Sequence, residues 1–168
     1  PLKLALIGAY TLFPIQEIVA HLLELECYNV ELFIGEYDNY HNEILDFNSE
    51  LNKFCPEFLF FYPSAERCRY MGELLDSIEQ VEEQAQKEAD EILHLCETIH
   101  KKHDTNIILA NFPLPQHYDL GALKAKCPTS LWNYRKFVNL RMGLDAPFFI
   151  NICDIEFLSA RIGLKNSW

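Results

Sequence analysis

Three hydroxyls and two imidazoles are the groups in this chain whose chemistry could combine into acyl transfer. Thr11, Ser49 and Ser64 would supply the oxygen, and His41 or His117 would take its proton. Such a nucleophile also needs an acid to orient the histidine, and the three partners can come from distant parts of a sequence. Asp38-Asn39-Tyr40-His41 has a D-x-x-H spacing that would let a carboxylate hold an imidazole, although a polar surface loop explains the same four residues. Ser49, following Asn48, suits a helix cap through Phe54 better than an attack on a carbonyl. Ser64 follows Pro63 at the end of an apolar run and is the better-placed hydroxyl. Asn111 and the backbone amides after Gly8 are possible oxyanion donors. No triad spacing joins these groups.

Other chemistries have less support. Cys96, His100 and His103 share a helical face, yet they fall at a solvated helix end and no H-E-x-x-H signature accompanies them, so no metal is expected. Gly8 alone is not a dinucleotide fingerprint, and no G-x-x-x-x-G-K-[ST] loop occurs. No cofactor is expected in this domain.

The elements that must position these groups are legible as periodicity. Five apolar runs, Leu2 to Ile7, Val30 to Ile34, Phe58 to Tyr62, Asn106 to Ala110 and Phe148 to Cys153, alternate with helical patterns. That alternation predicts an α/β protein with a five-stranded parallel sheet covered on both faces, a three-layer α/β/α fold. Phe58-Leu59-Phe60-Phe61-Tyr62 lacks polar alternation and is expected at the centre of the sheet. A helix should begin with Pro14 at its first position and bury a wide stripe of Ile15, Ile18, Val19, Leu22, Leu23 and Leu25, with His21 partly packed. Arg67 to Ser77 predicts a short helix; Ser77-Ile78-Glu79-Gln80 reads as a capping box opening a long one, with Val81, Ala85, Ala89, Ile92, Cys96 and Ile99 inward. Thr129 or Ser130 caps a helix that should end at Gly143, and Ile155 to Ile162 forms a last one closed by Gly163.

In an open parallel sheet the ligand cleft lies beyond the carboxyl ends of the strands. The residues expected to line it are Tyr10, Thr11, Tyr37, Tyr40, Ser49, Ser64, Asn111, His117 and Asp154. The irregular stretch from Asn111 to Thr129 is too long for an ordinary connection and is expected to serve a site or a partner.

Composition limits the partners. With 168 residues the chain is expected to form one domain, 1–168, and its proline start suggests an excised N-terminal portion of a longer protein. A net charge of -11 argues against nucleic acid and anionic membranes. Six scattered cysteines without a C-x-x-C pair suggest buried, reduced thiols in a cytoplasmic protein.

Glu36-Tyr37-Asp38-Asn39-Tyr40-His41-Asn42-Glu43-Ile44-Leu45-Asp46-Phe47-Asn48-Ser49-Glu50-Leu51, then Phe54-Cys55-Pro56-Glu57, then Asn111-Phe112-Pro113-Leu114-Pro115, resemble the N-terminal domain of FkbH-like proteins. Leu158 to Gly163 and Asn166-Ser167-Trp168 resemble that domain's end. The resemblance implies a fold similar to SGNH hydrolases, with a flavodoxin-like strand order, placed ahead of a haloacid-dehalogenase-type (HAD) domain. It also implies a system of glyceryl transfer and dephosphorylation that loads a glycerate-derived unit onto an acyl carrier protein in polyketide or related biosynthesis. SGNH hydrolases carry their nucleophile in a G-D-S-x turn after the first strand; aligning Gly8 puts Ala9 at the aspartate and Tyr10 at the serine. Their closing D-x-x-H is matched only by Asp154, with Phe157 three residues on. The domain is therefore expected to be catalytically degenerate. It would recognise an acyl carrier protein, an acyl group or the downstream HAD domain, with Arg67, Arg69 and Tyr70 as a docking patch. An active serine or threonine esterase or acyltransferase, and a structural brace for the next domain, are the alternatives.

Overall fold

The computed structural model describes residues 1–116 and 120–163. Strands and helices alternate as β1 (Leu2–Gly8), α1 (Ile15–Leu25), β2 (Val30–Ile34), α2 (Tyr40–Leu45), α3 (Glu50–Phe54), β3 (Phe58–Tyr62), α4 (Ile78–His103), β4 (Asn106–Ala110), a 3-10 helix (Gly121–Lys126), α5 (Leu131–Asp145), β5 (Ile150–Cys153) and α6 (Ile155–Ile162). The strands form one parallel sheet in the flavodoxin-like order β2-β1-β3-β4-β5, flanked by helices in three layers. The apolar β3 is its central strand.

The chain divides into two compact units. The first comprises Pro1–Ser64, His94–Ala110 and Pro147–Asn151, the second Ala65–Leu93, Asn111–Ala146 and Ile152–Trp168. In the first unit the pleat sorts the strand residues by face. Leu4 and Leu6 pair in register with Phe58 and Phe60 and with Leu32 and Ile34, and Val19 and Leu23 of α1 pack against this face. Ala5, Ile7, Leu59, Phe61, Ile107 and Leu109 occupy the other face and are fully buried, with the Tyr40 ring of α2 5.0 Å from that of Phe61. Gly8 ends β1 in register with Tyr62, and glycine is required there because a Cβ would lie 2.4 Å from the Tyr62 carbonyl oxygen.

The second unit is built on α5. Ser130 caps it by accepting from the Asn133 amide, and Tyr134, Arg135, Val138, Asn139 and Met142 form its buried face. At the start of α4, Gln80 N donates to Ser77 Oγ at 3.4 Å while Ser77 N donates to Gln80 Oε1 at 2.9 Å, the reciprocal bonding of a capping box. The apolar stripe expected on α4 is buried throughout.

Several local expectations are corrected. Arg67 to Ser77 forms no helix, because the Asp76 carboxylate gathers the Tyr70 hydroxyl at 2.6 Å and the Glu73 amide at 2.8 Å, an arrangement that competes with helical bonding. Pro14 is the N-cap of α1 and not its first helical residue, so the helix starts one position later than expected. Only Val19 and Leu23 of its stripe join the core cluster, while Ile15, Ile18, Leu22 and Leu25 are exposed, as is His21. Gly143 lies inside α5, which runs on to Asp145 just before Pro147. β5 starts at Ile150 because the Ile150 amide closes a turn onto the Pro147 carbonyl, leaving Phe148 exposed. Of the six free cysteines only Cys68 and Cys96 are buried; Cys27 and Cys55 are exposed at left-handed positions after α1 and α3.

Candidate binding site

In the first unit, Ala9 N donates to Tyr62 O and Asp38 N donates to Gly8 O, so the chain after β2 is tied to the end of β1. Tyr10 is half-buried at this apex, its ring 4.7 Å from that of Tyr62. Thr11 is exposed beside it, and Ser64 is half-buried after β3. Tyr37 is exposed, whereas Tyr40 points inward onto Phe61. His41 is exposed with its ring 4.6 Å from that of Tyr40, and Asp38 adopts a φ of 55°. Among the described residues, no serine or threonine hydroxyl bonds to an imidazole: His100 meets Thr105 O at 2.9 Å, and His103 meets Asn52 Oδ1 at 2.9 Å. Burial lowers the pKa of His103, with Lys102 adding to the shift. His117, Tyr118 and Asp119 lie outside the described residues, as do Asn166, Ser167 and Trp168.

Ser49 is a cap. Its hydroxyl accepts from Asn52 N at 3.1 Å and donates to Glu43 O at 2.6 Å. Glu43 is itself 6% exposed; Oε1 accepts from Glu36 N at 2.9 Å, and Oε2 is buried against Gly35 with no hydrogen-bond partner among the described residues. Desolvation raises its pKa above the ordinary carboxylate value.

In the second unit, a pocket of about 660 Å³ opens where β4 and β5 end. Asn111 and Asp154, both expected in a cleft, line it together with Leu114, Lys136, Asn139, Leu140, Glu156, Phe157 and Ala160. Its polar floor is built from mutual bonds. Asn111 Nδ2 donates to Asp154 Oδ1 at 2.9 Å, and Asn111 Oδ1 accepts from Glu156 N at 3.0 Å. Asn139 Nδ2 donates to Phe112 O and Glu156 Oε2, both at 2.7 Å, and its Oδ1 accepts from Phe112 N at 2.8 Å. Asp154 Oδ1 also accepts from Phe157 N at 3.0 Å, which makes it the N-cap of α6. This carboxylate is thus committed to its own helix, and Phe157 stands where a D-x-x-H segment would place the imidazole.

Beneath these loops lies a buried polar network that periodicity did not expose. Arg135, 8% exposed, donates to the carbonyls of Cys68 at 3.3 Å, Pro113 at 2.9 Å and Ala65. Tyr134 donates to Glu88 Oε2 at 2.6 Å and accepts from Gln84 Nε2 at 3.2 Å. Desolvation raises the pKa values of Glu88, Tyr134 and Cys68, so at neutral pH the phenol and thiol stay protonated and act as donors. The pocket residues missed at the sequence level, Lys136, Asn139 and Glu156, sit on helices whose period gives burial but not side-chain pairing.

A single parallel sheet covered by helices on both faces defines an α/β protein of three-layer fold. The chain belongs to the FkbH, N-terminal domain family, whose pattern it matches over residues 3–168. No curated protein sequence matches it. Among solved structures it is similar to the N-terminal part of the protein BF1531 from Bacteroides fragilis, described as containing a phosphatase domain complexed with Mg, with a TM-score of 0.75 and 21% identity over 98% of this chain and 43% of that one. It is also similar to the lipase Lip_vut3 from a goat rumen metagenome, with a TM-score of 0.57 and 13% identity over 92% of this chain and 80% of the lipase. At these identities the likeness is one of fold. The chain spans less than half the length of the BF1531 fragment.

Proposed function

We propose that this domain recognises a partner and does not itself cleave a bond, as a catalytically degenerate hydrolase-like module of an FkbH-like glyceryl transferase/phosphatase system in polyketide or related biosynthesis. Its partner is an acyl carrier protein, the acyl group it bears, or an adjoining HAD-type domain, in the cytoplasm. The observation that carries the proposal is Tyr10 at the β1 apex, packed on Tyr62 where an attacking hydroxyl would project. A phenol titrates near 10 in water and is a poor nucleophile at neutral pH, whereas a half-buried ring is a good recognition surface. Commitment of Asp154 to the cap of α6, with Phe157 in the base position, supports the same conclusion. The phosphatase description of the BF1531 fragment, most of which lies outside the matched region, supports placing bond-breaking chemistry in another part of the parent protein.

The test is turnover. Incubated with p-nitrophenyl acetate, p-nitrophenyl butyrate and an acyl thioester, the domain should release product at the buffer rate. Hydrolysis abolished by Thr11→Ala or Ser64→Ala would replace this proposal with an active esterase. Titration with a holo acyl carrier protein tests the partner; absence of binding would leave the adjoining domain or a bracing role.

A further inference from the structure

We propose that the exposed face of α5, together with the 3-10 helix before it, is a docking surface for the acidic side of a carrier protein. This rests on the carrier reading above and specifies its surface. The stretch 120–144 contains Lys124, Lys126, Arg135, Lys136 and Arg141 and no aspartate or glutamate, in a chain whose net charge is -11; the one acid of α5 is its last residue, Asp145, which accepts from Gln86. Arg135 is consumed by internal carbonyls; Lys126 and Lys136 are exposed, and Lys124 and Arg141 are partly so.

The geometry concentrates this charge. Lys124 Nζ lies 3.7 Å and Lys136 Nζ 5.0 Å from the ring centroid of Trp132, so one indole holds two ammonium groups in the same neighbourhood. Cation–π attraction offsets part of their mutual repulsion. Trp132, Lys136, Leu140 and Leu144 follow one another at i, i+4 spacing along α5, and Leu140 and Leu144 are exposed. The ridge therefore offers cations followed by apolar contact. Lys136 and Leu140 also stand on the rim of the 660 Å³ pocket. An acidic helix finds its complement here, in a chain whose net charge is otherwise negative. The patch expected around Arg67, Arg69 and Tyr70 is less suited, since Glu66, Glu73 and Asp76 are interspersed with it and Tyr70 is bonded to Asp76.

The experiment measures binding of a holo acyl carrier protein to the chain by calorimetry, at low and moderate salt. Lys126→Glu combined with Lys136→Glu should weaken binding by about tenfold or more, while arginine at both positions should retain it. Lys53→Glu combined with Lys101→Glu, on exposed helical positions of the first unit, should leave it unchanged. Equal thermal midpoints confirm that the variants are folded. Carrier binding that persists unchanged in the Lys126/Lys136 reversal overturns the docking face while sparing carrier recognition. No carrier binding by the unaltered chain overturns both.

Discussion

Replacing Arg135 with methionine keeps most of the side-chain stem and removes every donor of the guanidinium. The carbonyls of Ala65, Cys68 and Pro113 lose a cationic partner that is itself only 8% exposed. Glu88, already held towards its neutral form by desolvation, loses a nearby positive charge that favoured ionisation. Each stranded carbonyl costs about 1 kcal/mol or more, and breaking a buried charged network costs about 3–5 kcal/mol, so the expected loss is about 3–5 kcal/mol. For a domain of this size each kcal/mol lowers the melting temperature by about 2–4 °C, giving a fall of about 6–20 °C. Urea denaturation followed by far-UV circular dichroism measures the loss, and hydrogen exchange should show faster opening around 65–68 and 112–115. Arg135→Lys should recover only part of the stability, because a single ammonium cannot span three carbonyls as a planar fork does. A loss below about 1 kcal/mol for Arg135→Met, with an unchanged urea slope, would refute the claim that this guanidinium pins the two loops.

Gly8→Ala should destabilise the fold by about 1–3 kcal/mol, since its Cβ would sit 2.4 Å from Tyr62 O and force β1 from β3; an unchanged melting temperature would contradict this. For Glu43 the folded-state pKa lies above the unfolded value, so its contribution is fully favourable below the unfolded pKa and is lost as pH rises through the folded one. Glu43→Gln should therefore be at least as stable as the unaltered chain at pH 7, and its relative advantage should shrink towards pH 4. Thermal melts at the two pH values check this, and an advantage that grows on acidification would be the wrong sign.

The sheet was readable because each strand buries enough apolar surface for its composition to announce it. Val30 to Ile34 and Phe58 to Tyr62 are delimited to the residue, and the Ser77 capping box marks the start of α4. Boundaries failed where a side chain intervened: Asp76 diverted Arg67 to Ser77 from helix, and Pro147 rather than Gly143 followed the end of α5. Ser49 was legible as a cap because capping is a bond to an amide three residues away.

Linear sequence determined the layered α/β class, the central strand and the tyrosine, Tyr10, in the turn after β1, because these depend on residue type and short-range period. Tertiary structure alone decided that Asn111 bonds Asp154, that Asn139 holds Phe112 and that Arg135 gathers the Ala65, Cys68 and Pro113 carbonyls. Those bonds join residues 22 to 70 positions apart. Hydrogen bonding is directional and short in range, so a pattern of hydrophobicity can say which face turns inward but not which polar groups meet there.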